Sequence, residues 1–341
     1  MATSVYSIPF FEVRALGATT RDIFGDGTGA APAAPGSYGE APAGYRLPDA
    51  TRLGPVQLQI ASLDRSLMYY ENVLGLRLVE RTETTAVLAA QAALHPLVVL
   101  HERAGARPMT ARGRLGLFHV AILLPDRASL ARFVVHLADR GVRAGAADHL
   151  VSEAFYLQDP DGLGIEVYAD RPRESWKRVG RELMMASDPV DAEDLVRVAD
   201  GVPWVGMPAG TVIGHLHLHV GDIEAAGRYY ADAVGFDRMV WHYPGALFLG
   251  AGGYHHHLGN NTWAEPGALP ATEEDARLVE WTIDLPASSD VEAVAASLTA
   301  AGYDADAQNG TVLSRDPWGT AVRFRVAVDE LTRAVPRAVT A

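Results

Sequence analysis

The chain has 341 residues, of which 48% are hydrophobic and 21% are charged. This length is enough for two ordinary domains, each with a core of its own. The 29 basic and 42 acidic residues give a net charge of −13, which argues against a nucleic-acid partner because phosphate contacts need a basic surface. Cysteine is absent, which excludes disulfides, thiolate nucleophiles and cysteine-based metal sites.

No apolar run approaches the ~20 residues that a membrane-spanning helix needs. The first residues, MATSVYSIPFFEVRALG, show no basic segment followed by a long apolar core, which is the pattern of a secretory signal. We therefore expect no membrane partner, a cytoplasmic location and a small-molecule substrate.

Residues 1–50 are rich in Gly, Ala and Pro and are predicted to form an irregular N-terminal arm. Two later segments then repeat one pattern, LGPVQLQIASLDRSLMYYENVLGLRLV from Leu53 and IGHLHLHVGDIEAAGRYYADAVGFDRMV from Ile213. Each shows a strand of alternating character, an acidic turn, an amphipathic helix with a Tyr-Tyr pair, a glycine and another strand. Ser62 and Asp222 suit the start of each helix, where a short oxygen side chain caps free amides.

Two further segments begin LFHVAILLPDRASLARFVVHLADRGV at Leu117 and LVEWTIDLPASSDVEAVAASLTAAGY at Leu278. Each continues to an Asp-Pro-X-Gly turn before its last strand, in QDPDGLGIEVYAD and RDPWGTAVRFRV. The chain therefore contains four predicted βαβββ units, near residues 51–103, 114–170, 211–263 and 276–327. Residues 171–210 form a connector with a predicted helix near Ala192–Ala199.

Paired βαβββ units that open with HVAI-like strands and close with DPDGxxIEVY resemble the vicinal oxygen chelate superfamily of glyoxalase I, bleomycin-resistance proteins and extradiol dioxygenases. The stretches DHLVSEAFYLQDPDGLGIEVYADRP, IGHLHLHV and GGYHHHLGNNTW are more specifically similar to bacterial catechol-2,3-dioxygenase-type proteins. The resemblance implies an α+β fold in which four modules form two cupped, curved mixed sheets. Modules one and two span residues 51–170, and modules three and four span 211–330.

In this superfamily the metal ligands lie early in the first and last strands of a unit. Alignment of the four repeats puts His119, His215 and Glu280 at the first-strand position of units two to four, with Pro55 in unit one. The last-strand position holds Glu166, His255 and Arg323 in units two to four, and in unit one His101 is the candidate. Since proline cannot ligate and arginine repels a cation, the predicted ligands are His119, Glu166 and His215.

Two histidines and one carboxylate with open coordination positions form the facial triad of non-haem iron(II) oxygenases. The expected cofactor is therefore Fe(II), with Mn(II) as an alternative that suits the same ligands. This ligand set predicts that module two pairs with module three around the metal. Sequential pairing, one with two and three with four, would split the triad.

The resemblance to extradiol dioxygenases also implies three catalytic residues. Tyr156 lies ten residues before Glu166, as a tyrosine does in those enzymes, and His149 lies seven residues before Tyr156. His255 is expected at the symmetric counterpart of Glu166, where an imidazole can take and return a proton. The implied reactants are a small aromatic diol and O2, with Tyr156 donating a hydrogen bond to a substrate oxygen.

His217 and His219 share a strand face with His215, and a period of two points His255 and His257 to one side and His256 to the other. Two alternatives remain open. One is a glyoxalase-type lyase or isomerase, which needs a second carboxylate ligand. The other is a non-catalytic small-molecule binding protein like the bleomycin-resistance members. The Tyr-Tyr helices and apolar sheet edges permit a homo-oligomer without specifying one.

Overall fold

The computed structural model describes residues 11–12, 17–25 and 29–327. The arm contributes β1 (Phe11–Glu12), α1 (Thr20–Phe24) and β2 (Ala31–Pro32). The first repeat contributes β3 (Arg52–Ile60), α2 (Leu63–Asn72), β4 (Arg77–Arg81), β5 (Thr85–Ala89) and β6 (Pro96–Glu102). The second contributes β7 (Arg114–Leu123), α3 (Arg127–Asp139), β8 (Ala144–Asp148), β9 (Ser152–Gln158) and β10 (Gly164–Asp170).

The connector contains β11 (Lys177–Val179), β12 (Glu182–Leu183) and α4 (Ala192–Arg197). The third repeat contributes β13 (Val212–His219), α5 (Ile223–Ala226), β14 (Asp237–Val240), β15 (Ala246–Gly250), β16 (Leu258–Asn261) and the short β17 (Leu269–Pro270). The fourth contributes β18 (Arg277–Leu285), α6 (Ser288–Ala300), β19 (Asp306–Gln308), β20 (Thr311–Arg315) and β21 (Ala321–Val326). The predicted α+β class and repeat pattern are confirmed.

The repeats form two large mixed sheets with a nested order. The ten-stranded sheet runs β1-β8-β9-β10-β7-β13-β16-β15-β14, with β17 paired to β7, and so joins the second repeat to the third. The eight-stranded sheet runs β19-β20-β21-β18-β3-β6-β5-β4 and joins the fourth repeat to the first. The second and third repeats, which are consecutive in the chain, therefore meet at the centre of the first sheet, and the first and fourth repeats meet at the centre of the second.

Along the central strands, side chains alternate between the hydrophobic core on one face of the sheet and the concave cup on the other. Val120 and Ile122 of β7 and Leu216 and Leu218 of β13 belong to the main hydrophobic core, together with residues of β3, β18 and the helices. Because successive strand residues point to opposite faces, the histidines between these residues point into the cup of the ten-stranded sheet. The core holds the sheets together, and the opposite face is left for the site.

The helices begin where the caps were predicted. The Ser62 hydroxyl accepts a hydrogen bond from the Arg65 amide at the start of α2, and Asp222 accepts one from the Ala225 amide at the start of α5. The third repeat's helix continues after α5 as a π-helical segment, Gly227–Ala233. In the connector, α4 confirms the predicted helix and ends two residues earlier than expected.

The Tyr-Tyr pairs link the two sheets. Tyr70 of α2 donates to Asp159 of the second repeat's turn (3.2 Å), and Tyr230 of the π-helical segment donates to Asp316 of the fourth repeat's turn (2.9 Å). Both tyrosines have no exposed surface. Each helix thus contacts the Asp-Pro-X-Gly turn of the repeat that follows it in the chain.

The described part of the arm packs against the rest of the molecule. β1 pairs with β8, and β2 joins β11 and β12 in a three-stranded sheet. The Tyr38 hydroxyl donates to the Gly253 carbonyl at 2.8 Å. Among the described residues, no helix has both the length and the apolar character needed to cross a lipid bilayer.

Candidate active site

Three neighbouring strands carry the predicted metal ligands. His119 lies on β7, Glu166 on the adjacent β10, and His215 on β13 at the other side of β7. Ala121 of β7 is the cross-strand partner of Glu166 on one side and of His215 on the other. His217 is the cross-strand partner of His119. Paired strand residues share a face, so the three side chains converge over the small side chain of Ala121.

The three groups are close together and buried. His119 Nε2 lies 2.9 Å from Glu166 Oε2, and His215 Nε2 lies 3.2 Å from the same oxygen. One ligand atom from each residue falls within 4.8 Å of the other two. The residues are 4%, 1% and 2% exposed in chain order, so a cation held here would be largely shielded from bulk water.

The electrostatics of this group favour a cation. Burial alone raises the pKa of Glu166, but the adjacent His215 and His119 hold that pKa well below its usual range. Burial lowers the pKa of His215 to about 4, against the opposing effect of Glu166. At neutral pH the site therefore presents an ionised carboxylate and a neutral His215 imidazole, which are the forms that bind metal.

The donor set fits a metal ion. Glu166 Oε1 and His119 Nε2 are buried and have no hydrogen-bond partner with acceptable geometry among the described residues. The 2.9 Å contact of His119 with Glu166 is therefore a close approach of two ligand atoms. Buried polar atoms are nearly always satisfied, and a cation shared by two imidazoles and a carboxylate would satisfy these.

The symmetric counterpart of Glu166 is not His255 as predicted. Glu166 pairs with Ala121, two residues after His119, and the equivalent residue two after His215 is His217, which pairs with Gly259. A Cβ at Gly259 would lie 2.9 Å from the His217 ring. The His217 ring therefore occupies the space in which a fourth ligand would begin, and His255 lies outside the strand.

Residues 254–257 are an irregular segment before β16 and are not a strand, so the predicted alternation of these histidines is wrong. His256 lines the central cavity, whereas His255 lies behind it and is fully buried. The rings of His256 and His215 are 4.1 Å apart between centroids. His256 is thus the nearer of the two to the metal ligands.

Hydrogen bonds fix the orientation of His256. Asp170 Oδ1 accepts from His255 Nε2 at 2.9 Å, and the Nδ1 atoms of His255 and His256 are 2.7 Å apart. Because a neutral imidazole has one donor and one acceptor, His255 accepts at Nδ1 and His256 donates. His256 therefore carries its proton on Nδ1, and its Nε2 is without one.

Tyr156 and His149 form a second hydrogen-bonded pair at the cavity wall. Tyr156 is paired with Glu166 across β9 and β10. His149 Nδ1 lies 2.6 Å from the Ala186 carbonyl, which can only accept, so His149 Nε2 accepts the Tyr156 hydroxyl proton. Burial, followed by the charge of Glu166, raises the pKa of Tyr156 well above 10, so Tyr156 remains a phenol.

These groups surround a cavity of about 1140 Å³. His217 and His219 line it beside His215, and burial lowers the pKa of both. Phe118 and His256, which neighbour the predicted site residues His119 and His255 in sequence, also line the cavity. No local sequence pattern indicates the remaining lining residues, because strands and loops distant in sequence bring them in: Arg143, Met185, Tyr243, Phe248 and Trp263.

The eight-stranded sheet has the equivalent position filled by an ion pair. Arg323, the counterpart of Glu166, pairs with Thr282 across the strands, and its guanidinium contacts both carboxylate oxygens of Glu280 at 2.6 Å. Gln57 also donates to Glu280, and His101 contacts Gln57. Here a side-chain cation occupies the place that a metal would take in the other sheet.

A family model described as Glyoxalase/Bleomycin resistance protein/Dioxygenase superfamily matches residues 52–167. A protein of Bacillus subtilis (strain 168) named catechol-2,3-dioxygenase is 42% identical over 271 residues, which cover 78% of this chain and 94% of the relative.

Among solved structures, one from Bacillus subtilis strain 168 superposes with a TM-score of 0.57 at 12% identity, covering 83% of this chain and 86% of the other. At that identity the similarity supports the fold alone. This structural similarity and the 42% sequence identity to the Bacillus relative agree with each other. The chain belongs to the Glyoxalase/Bleomycin resistance protein/Dioxygenase superfamily and, within it, is similar to a protein named catechol-2,3-dioxygenase.

Proposed function

We propose that the chain is an extradiol dioxygenase that cleaves a catechol-type aromatic diol with O2 at a non-haem Fe(II), with Mn(II) as the alternative metal. The observation that carries the proposal is the buried group of His119, Glu166 and His215 at the base of one large cavity. The 42% identity to a protein named catechol-2,3-dioxygenase supports the choice of reaction.

In this proposal His119, His215 and Glu166 would hold the metal. When bound, the metal would bind the diol and O2, and its charge would favour loss of phenolic protons. The protein provides a shielded site whose ligands already have the required protonation states. Both oxygen atoms of O2 enter a ring-opened semialdehyde cleaved beside the two hydroxyls.

Tyr156 is proposed to orient the substrate and to pass on a proton. Its own proton is directed to His149 Nε2, so its oxygen is free to accept a hydrogen bond from a diol hydroxyl. This reverses the direction expected from the sequence, where Tyr156 donated to the substrate. A proton taken up by Tyr156 can move to His149 as the phenol gives up its own.

His256 is proposed as the acid–base residue facing the diol, with His255 as the residue that positions it. His256 Nε2 lacks a proton in the network described, and His256 lines the cavity. It can take a proton from the diol and return it during ring opening. The role predicted for His255 thus passes to its neighbour, with His255 and Asp170 holding the orientation.

The glyoxalase-type alternative is less favoured by the site. That chemistry needs a fourth ligand with a second carboxylate, and the position opposite Glu166 is Gly259, with the His217 ring against it. The binding-protein alternative does not account for a convergent, buried ligand group. Both remain outcomes of the following experiment.

The test compares wild type, His119→Ala and His101→Ala after anaerobic reconstitution with Fe(II) or Mn(II). His101 is a matched control, because it is a strand histidine of the other sheet, on β6 beside the central strand β3. We expect one metal per chain in wild type and His101→Ala and a loss in His119→Ala. Catechol in air should consume O2 stoichiometrically and give a yellow product with the first two proteins. Metal without O2 uptake, or no metal binding, would contradict the proposal.

A further inference from the structure

The charge of the cavity wall is opposite to the charge of the protein. The net charge of the chain is −13, yet the described residues lining the cavity include one carboxylate, Glu166, and two guanidinium groups, Arg112 and Arg143. Glu166 belongs to the metal site, where its charge would be neutralised. The remaining wall therefore carries fixed positive charge only, in a concave setting that concentrates the field.

Arg143 lies at the end of the cavity that is reached past Tyr156. It directly precedes β8, and Gly145, two residues later, pairs with Tyr156. The strand order β8-β9-β10-β7 puts two strands between Arg143 and His119. With a spacing of about 4.8 Å between neighbouring strands, the backbones of Arg143 and His119 are separated by roughly 14 Å, which leaves room for an aromatic ring and a short substituent between their side chains.

Neither guanidinium is neutralised within the part of the chain that the structure describes. The Arg112 Nε atom donates to the Trp263 carbonyl at 2.5 Å, which anchors the side chain without cancelling its charge. Arg143 is exposed and forms no ion pair with the described residues. By contrast, Arg323 and Arg325 on β21 of the eight-stranded sheet are both paired with carboxylates.

We infer that the substrate is an aromatic diol whose ring carries a short side chain ending in a carboxylate or a comparable anion. Arg143 binds this anion, and Arg112 adds to the attraction from the opposite wall. The inference rests on the proposed function and adds the substrate class. A guanidinium matches a carboxylate with two parallel hydrogen bonds, so the preference should depend on the anion itself and not on side-chain length.

The test uses three probes, hydrocaffeate, its methyl ester and ethylcatechol, with wild type, Arg143→Gln, Arg112→Gln and Arg52→Gln. Arg52 is a matched control because it is exposed and lies on β3, away from the cavity. In wild type we expect kcat/KM for hydrocaffeate to exceed that for the ester by about tenfold, the size of one charge-assisted contact at a partly solvated site. Arg143→Gln should lower this ratio to near one, Arg112→Gln should lower it less, and Arg52→Gln should leave it as in wild type.

Binding of the same probes can also be measured without turnover. The Fe(II)-loaded protein is titrated anaerobically at low and high salt, and tryptophan fluorescence reports the affinity. Tighter binding of the acid that weakens in Arg143→Gln and at high salt supports the inference. Equal affinity for acid and ester in wild type, or an equal loss for both in Arg143→Gln, overturns it. If all three probes are oxidised with similar kcat/KM, the inference alone fails. If no probe consumes O2, the proposed function fails, and the binding data still decide whether the cavity selects anions.

Discussion

The proton on His256 is controlled by residues that do not line the cavity. Asp170 accepts from His255, which in turn accepts from His256. Burial, together with the neighbouring His215 and His255, lowers the pKa of His256 well below its usual range. The resting imidazole is therefore neutral, with its free nitrogen available to a diol.

Replacement of His256 separates its chemical role from metal binding. We expect His256→Ala to retain Fe(II) and to lose kcat by roughly 10²–10⁴, the usual contribution of an acid–base group. His255→Ala should lose less, because it acts by orienting His256. His255→Gln should restore much of that loss, since an amide can donate to Asp170 and accept from His256. Steady-state kcat, KM and iron content measured together would check this; equal kcat in His256→Ala and wild type would exclude the role.

The repeat alignment predicted the positions of His119, Glu166 and His215 because strand registers preserve ligand positions. It could not distinguish His255 from His256, since the irregular segment before β16 does not follow the period of two of a strand. Nor could it predict Gly259 as the counterpart of Glu166, because this depends on pairing with His217. Local sequence indicates which residues of a strand share a face. Tertiary contacts determine where the side chains of an irregular segment point.

At the scale of elements, the Tyr-Tyr helices connect the first repeat with the second and the third repeat with the fourth. The Asp316 carboxylate accepts from the Trp318 and Thr320 amides and from Tyr230. Burial raises the pKa of Asp316, against the effect of these hydrogen bonds. The helix and the turn are therefore joined through one buried polar group. The sequence predicted the helices and the turns separately, but no local pattern indicates that they meet.

Removal of the Tyr230 hydroxyl should weaken this link. We expect Tyr230→Phe to lower the free energy of unfolding by about 1–3 kcal/mol, because a buried acceptor loses a donor. Tyr229→Phe is the matched control: its hydroxyl bonds the neutral Ser314 Oγ at 2.9 Å, so the loss should be smaller. Urea unfolding of the two variants tests the order, and an equal or larger loss in Tyr229→Phe would contradict it.

For the whole molecule, the two sheets are versions of one architecture that differ at the central position. In the ten-stranded sheet this position holds two imidazoles and a carboxylate, and in the eight-stranded sheet it holds the ion pair of Glu280 with Arg323. Glu280 is 7% exposed, so an uncompensated charge there would be costly. The sequence-level prediction that the first and fourth repeats lack a metal site follows from Pro55 and Arg323, although the Glu280 ion pair was not foreseen.

Disruption of this ion pair should affect stability and leave the metal site intact. We expect Arg323→Met to reduce the free energy of unfolding by about 1–3 kcal/mol, less than for a fully buried pair since Arg323 is partly solvated. The double variant Glu280→Met with Arg323→Met should recover much of the loss, because neither charge is then left unpaired. Urea unfolding and iron content check both statements; a double variant less stable than Arg323→Met would contradict the explanation.

The nested strand order also has a consequence for synthesis on the ribosome. Gln57 and Glu280, which are hydrogen-bonded across the centre of the eight-stranded sheet, are 223 residues apart in sequence. The first repeat must therefore wait, with the edge of β3 unpaired, until the last repeat has been made. An unpaired edge is a template for association with other chains. We expect a nascent chain stalled after the third repeat to contain every proposed ligand and yet to be lost by aggregation.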